Sequence, residues 1–284
     1  MIGTRKTRTI DPATRETPLG HERRRQIHAW VQRNGAANVA QLAQNLNVGA
    51  NTIRRDLAQL AEEGKLIRSH GGAVVNDPPS TRLPYTQVCH EHAEQKEQIA
   101  QAALHLLPEK GSVFLADGTT VQAFAMRIPA NASLHVVTNS IKIATRLITE
   151  TSVTVELLGG RVRPELLATD CSLAAEVLEM LFWDVAFVGA AALDVTYGIT
   201  ERDAPEAARQ RKFLDRATRM VVLCDSSKLG RCSYARVGPL SLVDTVVTDF
   251  GADPDVVRAI RDTGVAVIIA NREEERKEGR EPAE

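Results

Sequence analysis

The chain has 284 residues, of which 43% are hydrophobic and 25% charged, and its net charge is −1 at pH 7. No apolar run approaches the roughly 20 residues that span a bilayer, and the polar, Arg-rich start lacks the apolar stretch of a secretory signal. Four scattered cysteines (Cys89, Cys171, Cys224, Cys232) suit a reducing cytoplasm better than a disulfide framework.

The near-neutral total hides an asymmetry. Residues 1–75 carry 12 Lys and Arg against 6 Asp and Glu, and the remainder carries 23 against 30. A basic front and an acidic back imply that the front meets a polyanion.

In chain order, residues 1–18 hold almost no apolar side chains and two prolines, and read as a disordered tail. Residues 19–75 read as a small helical domain. Ile27, Trp30 and Val31 form an apolar stripe of a first helix, which Asn34-Gly35 ends. Val39, Leu42, Ala43 and Leu46 form a second stripe, with Asn38 as N-cap and Gln41 completing a capping box. Ile53, Leu57 and Leu60 form a third, ended by Gly64. The segment KLIRSHGGAVV then reads as a hairpin with a Gly-Gly turn. Residues 76–93, which open with NDPPSTRLP, read as a linker. From 94 to 270 the pattern becomes strand, short loop, helix, repeated. Strands are expected at 113–116, 134–138, 153–158, 184–188, 220–224, 243–248 and 265–269, most of them continuous apolar runs of the kind buried on both faces. Helices at 172–181 and 205–218 fall between them. The fold class is α/β: a small winged helix-turn-helix followed by a mainly parallel sheet covered by helices. Residues 271–284 read as a second polar tail.

Three short helices followed by a hairpin define the winged helix-turn-helix, which docks its third helix in a DNA major groove. With Ile53, Leu57 and Leu60 turned inward, Asn51, Thr52, Arg54, Arg55 and Gln59 face outward. Arg reads guanine bidentately, Asn and Gln read adenine, and Thr meets phosphate or a thymine methyl. Arg68 and His70 stand on the wing, and Arg23, Arg24 and Arg25 open the first helix where phosphates are in reach. The stretch NVAQLAQNLNVGANTIRRDLAQLAEEGKLIRSHGGAV resembles the N-terminal domain of DeoR-type bacterial transcription regulators: the TIRRDL core, the EGKLIR step and the HGGA ending match in order and spacing. Gly49 stands where that family often has a Ser N-cap, a change worth a few tenths of a kcal/mol.

In the second region, Asp117-Gly118-Thr119-Thr120, Thr138-Asn139-Ser140 and Gly159-Gly160-Arg161 each follow a strand. In a parallel sheet these ends share one edge, where α/β proteins bind ligands, and backbone N–H groups and hydroxyls there favour phosphate. Arg161 and Lys228 add positive charge. No Walker loop or dinucleotide fingerprint is present. EQKEQIAQAA, FLADGTT, VVTNS, ELLGGRVRPE, DVAFVGAAALDVTYGIT, APEAARQRKFLDRATRMVVLCDSSKLG and VVTDFGAD resemble the DeoR-type sensor domain, itself related to ribose-5-phosphate isomerase and coenzyme A transferase folds. The resemblance implies a repressor of a carbohydrate catabolic operon, released by a phosphorylated sugar. It also implies a ligand pocket at Asp117, Gly118, Thr119, Thr120, Asn139, Ser140, Gly159, Gly160, Arg161, Gly189 and Lys228. This chain departs from the family at Ala191 and Ala192, where an acid and a glycine are common, and at Gln210, where a lysine is common. Arg209, Arg211 or Lys212 can stand in for that lysine from neighbouring positions.

Other readings start from the same residues. A phosphosugar isomerase fused to a DNA-binding domain needs a carboxylate base and a cation beside the substrate, and Glu206 is the carboxylate that remains. Cys89-His90-Glu91-His92 offers metal-ligand side chains, but too close together to close a tetrahedron. The expected protein is therefore not an enzyme and holds no cofactor or metal. Its partners are double-stranded operator DNA, a phosphorylated metabolite and its own copies, as dimer or tetramer over half-sites about ten base pairs apart, with no membrane.

Overall fold

Ile27, Val31, Val39, Leu42, Ile53, Leu57 and Leu60 stand at helical spacing, and in the computed structural model every one is at most 7% exposed. The structure describes residues 20–34, 36–69, 72–75 and 89–270; His70, residue 71 of the expected turn, the linker up to residue 88 and both expected tails lie outside the described residues. The chain divides into two units, Met1–Asn76 and Asp77–Glu284.

In the first unit, helix α1 spans Gly20–Asn34, α2 Val39–Leu46 and α3 Ala50–Glu62. The Asn38 capping box is present: its side chain accepts from the Gln41 N–H at 2.7 Å, and the Gln41 side chain accepts from the Asn38 N–H. Asn47, in the left-handed region at φ 51°, ends α2 and turns the chain toward Gly49, the N-cap of α3. Strands β1 (Ala36–Asn38), β2 (Leu66–Ser69) and β3 (Gly72–Val75) pair antiparallel in the order β1-β3-β2. β1 is too short to show a period, so the sequence offers no sign of it. Its presence changes the role of Gly72. That residue sits in β3 opposite Asn38, where an added Cβ would lie 2.1 Å from the Ala37 carbonyl oxygen. Trp30 is a correction: at 38% exposure it stands outside the core formed by Ile27 and Val31.

The second unit opens with helix α4 (Ala93–Ala103). It then alternates: β4 (Lys110–Leu115), α5 (Thr119–Ala125), β5 (Ser133–Thr138), α6 (Ile141–Glu150), β6 (Thr154–Leu157). A small hairpin, β7 (Val162–Arg163) with β8 (Ala168–Thr169), precedes α7 (Ala175–Met180) and β9 (Trp183–Val188). After β10 (Ala192–Asp194) and β11 (Gly198–Glu201) come α8 (Ala204–Leu214) and β12 (Ala217–Leu223). The unit closes with β13 (Ala235–Gly238), β14 (Thr245–Asp249), α9 (Pro254–Arg261) and β15 (Ala266–Ala270). The expected helix over 205–218 therefore stops early, and residues 217 and 218 already belong to β12.

Seven strands form one parallel sheet in the order β15-β14-β12-β9-β4-β5-β6. Side chains alternate across it as strand geometry requires. Val113 and Leu115 of β4 join Ile99 of α4, Phe124 of α5 and Leu147 of α6 on one face. Phe114 faces the other way, stacked on Trp183 and tilted against Phe213 at centroid distances of 4.7 and 4.3 Å, in a layer with Leu178 of α7 and Ile260 of α9. A second sheet, β10-β11-β13, is antiparallel.

Candidate functional site

Helix α3 buries one side and leaves the other to solvent. Asn51, Arg54, Arg55 and Gln59 are exposed and Thr52 is half-buried, while Ile53, Leu57 and Leu60 are at most 2% exposed. The Arg54 guanidinium donates to Asn51 Oδ1 at 2.7 Å, so two groups with base-reading chemistry sit together at the start of the helix. Gln59 donates to Glu63 Oε1 at 3.3 Å. Arg68 is exposed on β2. Asp56 escaped the sequence reading. It is 3% exposed and accepts from Arg23 Nε at 2.5 Å, with Arg24 Nη1 3.5 Å from its other oxygen. Arg23 and Arg24, expected near phosphates, instead tie α1 to α3. Arg25, 73% exposed and beside Glu22, keeps an open side.

In the second unit a cavity of about 150 Å³ lies at the C-terminal ends of β4 and β9. From β4 the chain winds outward through β5 and β6, then returns to β9 and winds outward in the other direction through β12, β14 and β15. Strands β4 and β9 thus flank the reversal point of the sheet, where open α/β sheets hold their ligands because the loops diverge there.

Six of the eleven pocket residues expected from sequence line this cavity: Asp117, Gly118, Thr119, Thr120, Gly189 and Lys228. The other five, Asn139, Ser140, Gly159, Gly160 and Arg161, do not: the β7–β8 hairpin roofs Asn139 and Ser140, and Gly159 to Arg161 lead into that hairpin away from the cavity. The Thr169 N–H donates to Asn139 O at 2.9 Å, Thr169 Oγ1 donates to Leu158 O at 2.6 Å, and the Ile141 N–H donates to Leu167 O at 2.9 Å. Asn139 is wholly buried and acts on the cavity through Asp117, donating to its carboxylate at 2.7 Å and accepting from its N–H at 2.9 Å. Ser140 caps α6. Gly160, at φ 154°, turns the chain into the hairpin, where a Cβ would meet Asp170 Oδ1 at 2.4 Å. Arg161 is exposed and its N–H donates to the same Asp170 oxygen at 2.9 Å.

The hairpin loop brings Glu165 to the cavity, β11 and the residue after it bring Glu201 and Arg202, and α8 brings Glu206, Arg209 and Gln210. Of the three cations considered near position 210, Arg209 faces the cavity. Arg211 lies against Asp215 at 2.9 Å, and Lys212 is exposed. Arg209 is 9% exposed, and its Nη2 lies 3.5 Å from Asp117 Oδ2 and 3.6 Å from Glu206 Oε1. Lys228 Nζ is 3.3 Å from Asp225 Oδ2. Burial pushes the Asp225 carboxyl up, yet Lys228, Ser227 and His92 together hold it below its ordinary value. Burial, with Lys228 nearby, pushes Lys96 on α4 down. Burial likewise raises the Cys171 thiol to about 11 and the Cys224 thiol to about 12, so neither is a ready nucleophile. Among the described residues no three His, Cys, Asp or Glu side chains converge as a metal ion requires, and no helix is long and apolar enough to cross a membrane.

A winged helix-turn-helix with an exposed face, followed by a doubly wound domain with a charged cavity at its reversal point, is the architecture of a DNA-binding regulator. Residues 23–79 match the DeoR-like helix-turn-helix domain, and residues 91–250 match the DeoR C terminal sensor domain. The chain is 34% identical over 250 residues to the HTH-type transcriptional regulator GlpR of Haloferax volcanii, spanning 88% of this chain and 98% of that protein. Over 241 residues it is 27% identical to the glycerol-3-phosphate regulon repressor of Escherichia coli K12, spanning 85% and 95%. The chain belongs to the DeoR family of transcription regulators. Ribose 5-phosphate isomerase A of Methanocaldococcus jannaschii overlays 48% of this chain and 54% of its own at 16% identity and a TM-score of 0.36, a likeness too low to carry an argument.

Proposed function

We propose that the protein is a cytoplasmic repressor of a carbohydrate catabolic operon, and that a phosphorylated sugar or polyol in the switch-point cavity releases it from its operator. The observation that carries this reading is the cavity itself: Arg202, Arg209 and Lys228 supply positive charge, and Thr119 and Thr120 lie beside them at the reversal of the sheet. Cations with hydroxyls suit a phosphate, and carboxylates such as Glu201 and Glu206 accept from sugar hydroxyls. The named relatives, one a glycerol-3-phosphate regulon repressor, support the same reading.

Asn51, Thr52, Arg54, Arg55 and Gln59 read base edges, and Arg68 and His70 meet the backbone or minor groove. One recognition helix buries little surface, so copies of the chain act together as dimer or tetramer, and avidity supplies affinity. Ligand shifts the population toward the state with lower operator affinity, which requires that it bind the two states unequally. The protein performs no turnover in this reading.

Selection of genomic fragments by purified protein at physiological salt tests it. A few sharply enriched sites with repeated half-sites, released by a phosphorylated sugar, are expected. Uniform, salt-sensitive retention of all fragments contradicts specific binding. Tighter operator binding on adding the sugar contradicts release by ligand. Turnover of ribose 5-phosphate that is lost in Glu206→Gln puts an isomerase in place of the repressor.

A further inference from the structure

Two neighbouring side chains of α8 present buried polar atoms that find no hydrogen-bond partner among the described residues. Gln210 is 7% exposed and lines the cavity. Its Nε2 donates to Gly189 O at 2.5 Å. A carbonyl oxygen only accepts, so this bond sets which end of the amide faces Gly189. Oε1 is left as the other end, shielded from solvent and with no partner. Arg209 Nε is in the same condition, while Nη2 of that guanidinium lies between Asp117 and Glu206. Leaving a buried amide oxygen unmatched costs free energy, and a ligand that brings a donor to it regains that energy.

The two atoms are opposite in kind. Arg209 Nε only donates and belongs to a fixed positive charge, so it favours an anionic oxygen. Gln210 Oε1 only accepts, so it takes a hydroxyl hydrogen and is repelled by a phosphate oxygen. Charge around the cavity points the same way. Four carboxylates line it against Arg202, Arg209 and Lys228, so the lining holds no surplus of positive charge. A first phosphate shares those three cations with the carboxylates, and a second adds a further charge of about −1.5 to −2 to a lining already short of positive charge.

On the reading that this cavity holds the effector, we infer that Gln210 determines its specificity. Its Oε1 accepts from a ligand hydroxyl and keeps a second phosphate from that corner, so the effector is a polyol or sugar carrying a single phosphate. Selectivity of this kind is steep, because a site built around a buried hydrogen-bonding group loses that bond with the wrong ligand.

Titration calorimetry on the full chain tests it. The probes are glycerol 3-phosphate, fructose 6-phosphate with fructose 1,6-bisphosphate, glucose 6-phosphate with glucose 1,6-bisphosphate, and inorganic phosphate as competitor. Wild type is expected to bind at least one monophosphate, and any matching bisphosphate at least about tenfold more weakly. Gln210→Met should weaken that monophosphate about tenfold and leave competition by inorganic phosphate unchanged. Gln210→Lys, which keeps a donor for Gly189 O but replaces the acceptor with a cation, should narrow or invert the preference over the bisphosphate. Equal affinity for a matched pair in wild type, or unchanged monophosphate binding in Gln210→Met, overturns the inference and leaves the effector site standing. Proportional loss of every ligand, inorganic phosphate included, in both variants means that Gln210 only shapes the cavity, and also overturns it. No binding of any phosphorylated probe by wild type removes the effector reading and the inference together.

Discussion

The two units place their functional residues by different rules. In the first, function occupies what the core leaves over: once Ile53, Leu57 and Leu60 turn inward, helical geometry alone presents Arg54 and Arg55 to solvent. In the second, function sits where neighbouring strands part company. Asp117, Gly189, Glu201, Arg209 and Lys228 come from five separate segments and meet because β4 and β9 are neighbours in the sheet. A recognition helix is thus a local object and a switch-point cavity a topological one. Substitutions can test each rule separately.

The largest effects come from glycines at close crossings, one in each unit. Gly72→Ala puts a Cβ 2.1 Å from Ala37 O. Gly198→Ala puts one 2.1 Å from Gly238 O at a residue already at φ 75°. Each is expected to destabilise its own unit by about 3 kcal/mol or more. The two tryptophans report the units separately, Trp30 the first and Trp183, 2% exposed, the second. In urea, Gly72→Ala should move the Trp30 transition alone and Gly198→Ala the Trp183 transition alone. If either substitution moves both transitions equally, the units do not fold separately and the comparison fails.

Next in size is Asp56→Ala. It removes the carboxylate to which Arg23, whose side chain is 13% exposed, donates. Removing one partner of a buried pair costs about 3 kcal/mol, read as a shift in the same Trp30 transition. A change under about 0.5 kcal/mol would mean that the Arg23–Asp56 contact does not hold α1 to α3.

Arg54→Ala and Arg55→Ala act on function without touching the core. Each is expected to weaken specific operator binding by about 1–3 kcal/mol and to leave both unfolding transitions and ligand affinity unchanged. If operator binding survives both, the reading face lies elsewhere on the unit.

The smallest effect concerns pH and sharpens the second rule. Asp225 has its carboxyl held below the ordinary value, although burial works against it, because Lys228, Ser227 and His92 favour the charged form. A depressed native pKa contributes stability that is fully present above the unfolded value, about 3.9, and is lost as the pH falls through the native one. Asp225→Asn should therefore flatten the acid side of the Trp183 stability profile. An unchanged slope would show that the carboxyl is not held down by its neighbours.

The same contrast explains how much was legible beforehand. The three helices of the first unit, the Asn38 capping box and the exposed face of α3 follow from a 3.6-residue period, and they stand where that period puts them. Asp56 was missed because a carboxylate among arginines reads as surface until α1 is seen to bring Arg23 against it. The seven strands of the parallel sheet were legible, most of them as apolar runs; β6, TVEL at the sheet edge, is the exception. β7, β8 and β10 are two or three residues long and carry no period. The cavity was half legible for the same reason. Asp117 to Thr120 announce themselves as a strand end, Lys228 as a cation, and Gly189 came with the resemblance, whereas Asn139 and Ser140 look equivalent until the hairpin covers them through contacts such as Thr169 to Asn139, 30 positions apart. Gln210 and Arg209 drew notice only through the family resemblance, one as a departure and the other as a stand-in for a lysine, and the fold of α8 is what brings both to the cavity.

The central claim is that the switch-point cavity controls the DNA-binding face. Fluorescence anisotropy of a labelled operator fragment, titrated with phosphorylated sugars, measures that control directly in wild type and in Arg209→Met. Equal operator affinity of the two proteins without ligand is expected, with release of wild type by a sugar monophosphate and release of Arg209→Met only at concentrations at least about tenfold higher. Release of both proteins at the same concentration would place the effector outside this cavity and contradict the account.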